Sequence, residues 1–339
     1  MNKQKFKFLL MILVLFFVVN PLFAQRRITI RLASLVPENT AWGQALNRMA
    51  AEWARATNNE VQVIVFHGGT AGDEPEVLTK LRTNQLQAAV FSSMGLNSIM
   101  PEVMAISYPF LIRNQAEYNE VMRVLKPDLD RRIQQNGFTT LVWVHAGWIR
   151  FFSKNPVPTP ADLRRVKIGS GTDDAQMINA FRIMGYQVES VPVTDSLMAL
   201  NSGRIDAVYN SPVFVAGNQL FGVARNMSGI NLAPFMGGIL MNNNAWRQIP
   251  ERYRPQLLEI CRRLEREIEA SVNALETEAI TVMRRNGLIV NELTPAQMQV
   301  WYDDTARFEN NLVSASNPVF HREYYFRIKD ILTDFRRGR

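Results

Sequence analysis

Three histidines, one cysteine and a few acid pairs are the residues whose types could do chemistry. His67, His145 and His321 lie far apart, without metal-ligand spacing. His67 and His145 each end an apolar strand pattern, where a hydrogen-bonded structural histidine is the default. Asp173-Asp174 is a paired carboxylate, but Asp174 starts a helical pattern and capping explains it. Glu74 and Glu76 fall in a helix first turn, where the dipole favours acids. H-E-x-x-H, G-x-S-x-G and P-loop patterns are absent, and Gly68-Gly69 is too sparse to cradle a phosphate. No catalytic set, metal set or cofactor is nominated. Cys261, the only cysteine, cannot make an internal disulfide and reads as a small apolar helix residue.

Binding chemistry is better served, because the elements alternate. Residues 28–33 and 61–67 read as strands, 86–92 as a third, with helices over 41–57 and 73–83 between them. That order implies crossovers and a parallel sheet. The pattern restarts with strands at 140–145, 166–168, 187–192 and 207–209 and helices at 174–184 and 195–202. Thr159 and Pro160 mark a helix start between the first two of these strands. The fold class is therefore α/β, with two units of similar build. A helical pattern over about 250–285, with Leu257, Ile260, Leu264, Ile268, Val272 and Leu275 on one face, is too long for one small domain and fits a helix lying across both.

Ligands of open α/β sheets gather outside the carboxyl ends of the strands and at domain interfaces. In the first unit those ends offer Ser34, Ser92, Ser93 and Met94; in the second, Trp148, Gly169, Thr172, Tyr209 and Asn210.

The N-terminus sets the expected compartment. Lys3, Lys5 and Lys7 precede an unbroken apolar run from Phe8 to Val19, broken at Asn20-Pro21 and closed by Ala24. This reads as a secretory signal peptide over 1–24, with an uncleaved anchor as the alternative. Of the 38 Lys+Arg, those three belong to the signal, leaving 35 against 31 Asp+Glu. So mild an excess, interleaved with acids along helices, argues against nucleic-acid binding.

The segments carry a resemblance. AGDEPEVLTKLRTNQLQAAVFSS (71–93), MAISYPFL (104–111), 153–168 with its PTPADLRRVKI, and VPVTDSLMALNSGRIDAV (191–208) resemble, in order and spacing, the DctP-type solute-binding subunits of TRAP (tripartite ATP-independent periplasmic) transporters. The resemblance implies a two-domain periplasmic-binding-protein-like fold with hinge strands. Domain I would take 25–146 plus about 235–274, and domain II 147–234 plus about 275–339. It implies a non-enzymatic periplasmic protein that traps a small-molecule solute between the domains. Delivery would be to membrane permease subunits, and a tetratricopeptide-repeat partner occurs in some members.

Two departures bear on the solute. The resemblance places a carboxylate-pairing arginine where Gly169 stands, and a second arginine of some members where Ile149 stands. Arg150 lies one place later, and one place along a strand turns a side chain to the other face unless a bulge re-aims it. Asn210 matches a position that helps hold the carboxylate. Without a facing cation a buried carboxylate is costly. The expected solute is therefore neutral or hydrophobic, with Met94, Trp148, Ile149 and Phe235 as apolar contacts. The alternatives are an organic-acid binder using Arg150, or an interaction module that has lost solute binding.

Overall fold

One strand joins everything else. In the computed structural model, which describes residues 27–172, 174–314, 316 and 318–338, β4 (Phe138–Ser153) runs for 16 residues through both units. The signal-peptide segment and Asp173 lie outside the described residues. Among the described residues no helix is long and apolar enough to cross a membrane.

In the first unit, parallel β1 (Ile28–Ala33), β2 (Val61–Phe66) and β3 (Ala88–Ser92) are joined by α1 (Ala41–Ala56) and α2 (Glu74–Arg82). The order is β2-β1-β3-β9-β4, where β9 (Ala233–Asn242) returns late in the chain to pair antiparallel with β3 and β4. In the second unit, β5 (Lys167–Ser170), β6 (Gln187–Ser190) and β7 (Ala207–Asn210) extend the same sheet as β4-β7-β5-β6, with β8 (Asn226–Ser228) beside β4 and β10 (Ile289–Asn291) beside β8. The α/β reading and its alternation hold. Thr159 caps its helix by accepting from the Asp162 N–H, and Gly203 takes φ 76° where its helix ends.

The long helix is α10 (Arg254–Arg285), 32 residues or about 48 Å. Leu257, Ile260, Cys261, Leu264, Ile268 and Val272 pack into one core with Trp53 and Ile30, whereas Met283 packs into another with Phe152 and Val208. The helix therefore spans both units. Burying such a stripe against two cores ties their separation to one rigid rod.

Two elements have weak local signals. Helix α4 (Gln115–Gln135) carries Pro127 in its interior. Strand β9 contains Gly237-Gly238, which would break a strand pattern; a Cβ on Gly237 would stand 2.5 Å from the Phe91 carbonyl oxygen, so only glycine lets β9 approach β3. The last helix, α13 (Arg322–Arg336), packs on α4 of the first unit, whereas the sequence expectation places 275–339 with the second. Arg336 pairs with Glu117 at 2.8 Å, and the Tyr324 hydroxyl donates to Asp128, both acids being on α4.

Candidate functional site

Strand register brings the expected site residues to one junction. β3 runs in the direction of β4 and ends with Ser92 opposite Gly237, itself opposite Val144. β7 runs against β4 and ends with Asn210 opposite Arg150. The carboxyl ends of the two units' parallel strands thus point at the stretch of β4 between Val144 and Arg150. Ser34, Ser92, Ser93, Met94 and Phe235 lie on the first unit's side, Gly169, Thr172, Tyr209 and Asn210 on the second's. Trp148, Ile149 and Arg150 lie on the strand between.

Within that stretch β4 is irregular. The pairing with β9 shifts between His145 and Trp148, and Gly147 takes φ 98°. This is a β-bulge, which re-aims the residues after it. Beyond it Arg150 stands directly opposite Asn210, and opposed residues of an antiparallel pair share a face. Gly169, opposite Val208, lies on that face too, since Val208 is also opposite Phe152. Ile149 turns the other way and packs with Phe151 and Tyr209. Ile149 and Arg150 thus take opposite faces of β4, as one place along a strand requires, and it is Arg150 that shares a face with Asn210 and Gly169.

Arg150 also has a partner that the sequence reading missed. Its Nη2 lies 3.2 Å from Oε1 of Glu276 on α10, with side-chain exposures of 18% and 8%. Glu276 accepts from the Trp148 backbone N–H, and Gly147 presses against it: a Cβ there would stand 2.9 Å from Oε2. The bulge disturbs the ladder, and Glu276 satisfies one donor of it. Burial raises the Glu276 carboxyl above the ordinary range, and Arg150 opposes that rise. A signal existed. Ile260, Leu264, Ile268, Val272 and Glu276 recur every four residues, so an acid continues an apolar stripe.

Gly169 does not leave a hole. A Cβ there would stand 2.5 Å from Ile205 Cδ1, and Ile205 is buried in the second unit's core. Beside it the Ser170 and Tyr209 hydroxyls lie 2.6 Å apart, and Tyr209 donates to Asp174 Oδ2 at 2.5 Å. Asn210 uses its carboxamide oxygen on the Ser211 N–H at 2.8 Å, which leaves its NH2 as a donor. Thr172 is exposed.

The first unit's polar residues are largely committed to structure. Glu74, buried, accepts from the Ser92 N–H at 2.5 Å and hydroxyl at 2.8 Å. Ser92 Oγ in turn accepts from the Met94 N–H. Ser34 is buried, and its Oγ accepts from the Val36 N–H at 3.1 Å. Ser93 is buried, Met94 and Phe235 half-buried, and Trp148 packs edge-on against His145.

A cavity of about 610 Å³ lies elsewhere. It sits among α4, the first half of β4 and α10, lined by Tyr118, Trp143, His145 and Glu265 among others. The strand ends, not this cavity, carry the expected site.

The comparisons settle the family. The model of the bacterial extracellular solute-binding protein family 7, DctP, matches residues 32–313. The chain belongs to this family. Among relatives of this DctP chain, a protein from Chromohalobacter salexigens called a solute-binding protein is 23% identical over 277 residues, covering 77% of this chain and 80% of its own. An uncharacterized protein, y4mM, of Sinorhizobium fredii is 28% identical over 178 residues, 52% of this chain; the match spans only 32% of that longer relative. A TRAP periplasmic solute-binding protein from Pseudomonas putida F1 with bound D-glucuronate superposes with a TM-score of 0.79 at 19% identity, covering 89% of this chain and 96% of that one. Another from Pseudomonas aeruginosa PAO1, with bound L-malate, gives 0.76 at 16%, covering 84% and 99%. At such identities the likeness shows the shared fold.

Proposed function

We propose that this DctP-family protein captures a small organic acid between its two units in the periplasm, and that the Arg150 guanidinium and the Asn210 amide hold the carboxylate. Delivery to TRAP membrane permease subunits follows from the same reading. The observation that carries it is the bulge at Gly147, which sets Arg150 opposite Asn210 on the face where Gly169 provides no cation. A planar guanidinium beside an amide donor suits a carboxylate's geometry and supplies both charge and orientation. The solved relatives with D-glucuronate and L-malate bound lend this weight over a neutral or hydrophobic solute. Ligand contacts bridging both units would favour the closed arrangement.

Titration calorimetry with a panel of hexuronates, C4-dicarboxylates and 2-oxo acids, each beside its primary amide, tests the reading. Micromolar binding of at least one acid, with its amide bound far more weakly, is expected. An apolar or neutral compound binding tightly while every acid fails would overturn it.

A further inference from the structure

The feature left over from this account is a buried acid that already occupies the arginine. Glu276 Oε1 sits 3.2 Å from Arg150 Nη2, and both side chains are largely withdrawn from solvent. Arg150 Nε has no hydrogen-bond partner. Glu276 is held where it is from two sides, by the Trp148 N–H and by the close approach of Gly147. Before any solute arrives, an internal carboxylate therefore stands in for the external one. A guanidinium has donors enough for two carboxylates. Two ionised carboxylates crowded into one poorly solvated site repel, however, and one of them is driven to take a proton.

Resting on the carboxylate reading above, we propose that Glu276 takes up one proton from solvent when an anionic solute's carboxylate engages Arg150. The protein then traps the anion together with that proton, so a monoanion such as D-glucuronate adds no net charge to the junction. The step forms one O–H bond on the Glu276 carboxylate and breaks none in the solute.

The surroundings favour Glu276 as the acceptor. Arg150 is the charged group facing it from β4. The short helix α8 (Pro212–Gly217), packed against α10, carries no charged residue. From α1, Arg48 and Glu52 meet α10 at Glu267 and Arg263, further along the helix. His145, two residues before Gly147, turns to the Tyr118 ring at 4.4 Å. Burial raises the carboxyl before a second anion arrives, so the proton comes more readily than to an exposed glutamate.

The test is calorimetry of D-glucuronate and L-malate at neutral pH in two buffers of different ionisation enthalpy. The difference in apparent enthalpy counts protons exchanged. Wild-type protein should take up close to one proton per solute, and its Kd should rise by up to about tenfold per pH unit around neutral pH, levelling off at the alkaline end where uptake ceases. Glu276→Gln should bind the same acid with no proton uptake and a nearly flat Kd against pH. Acid binding by wild type without proton uptake overturns this inference alone. Failure of the wild type to bind either probe or any acid of the wider panel overturns the carboxylate reading and this inference with it. Glu276→Gln that still takes up the proton also overturns it. If that variant folds poorly, the wild-type buffer comparison decides unaided.

Discussion

Arg150 and Asn210 face each other across the antiparallel pair of β4 and β7, three residues beyond a bulge that turns on Gly147. That relationship places a cation and an amide donor together at the junction of two α/β units. On the proposed reading Arg150 serves two partners, a solute and the Glu276 it already pairs with. The first prediction separates those roles. Arg150→Met leaves Glu276 buried without a counter-charge and should cost about 3–5 kcal/mol of stability in chemical denaturation. Arg150→Met/Glu276→Met removes both charges and should recover most of that loss. If the double variant is as unstable as the sum of the singles, the two residues are not an energetic pair.

Gly147 bears on the bulge itself. Its φ of 98° is strained for any L side chain, and an added methyl would meet Glu276 Oε2 at 2.9 Å. Gly147→Ala should lower stability by about 1–3 kcal/mol and weaken acid binding as Arg150 loses its aim. Unchanged melting and unchanged affinity would show that the bulge does not position the site.

Restoring the arginine at 169 should fail. Ile205 Cδ1 occupies the direction a Cβ would take, inside a filled core. Gly169→Arg is expected to cost about 1–3 kcal/mol by overpacking and to give no gain in acid affinity. A stable Gly169→Arg protein with tighter acid binding would mean that Ile205 yields easily.

His145 sets a pH dependence of stability. Its imidazole is buried, its Nε2 has no partner, and burial holds its pKa down to about 4 from 6.5. The folded state resists protonation more than the unfolded chain does. The contribution is therefore complete above about 6.5 and lost progressively as pH falls towards about 4, on the order of 3 kcal/mol in all. His145→Asn should flatten the stability profile across that window. An equally steep acid loss in the variant would assign it to other groups.

Much of the scaffold was legible because it depends on local pattern. Period-two apolar runs, the Thr159 cap and the Gly203 stop are properties of a few adjacent residues. The length of α10 made its crossing of both units readable as well. β9 escaped because Gly237-Gly238 is explained only by the close approach of a distant strand, and α4 because Pro127 in its interior is a helix-breaking signal. At the site, Asn210 and the strand ends could be nominated from spacing alone. Which face of β4 meets Asn210 could not, since it depends on the pairing with a distant strand, and Arg150's partner Glu276 lies 126 positions away from it.

The most direct check is a crystal structure of the protein with an acid that binds it. One carboxylate oxygen should lie within about 3 Å of the Arg150 guanidinium, with the other close to the Asn210 amide and the solute enclosed between the two units. A solute whose carboxylate is held by other residues, with Arg150 still engaged by Glu276 alone, would contradict the account.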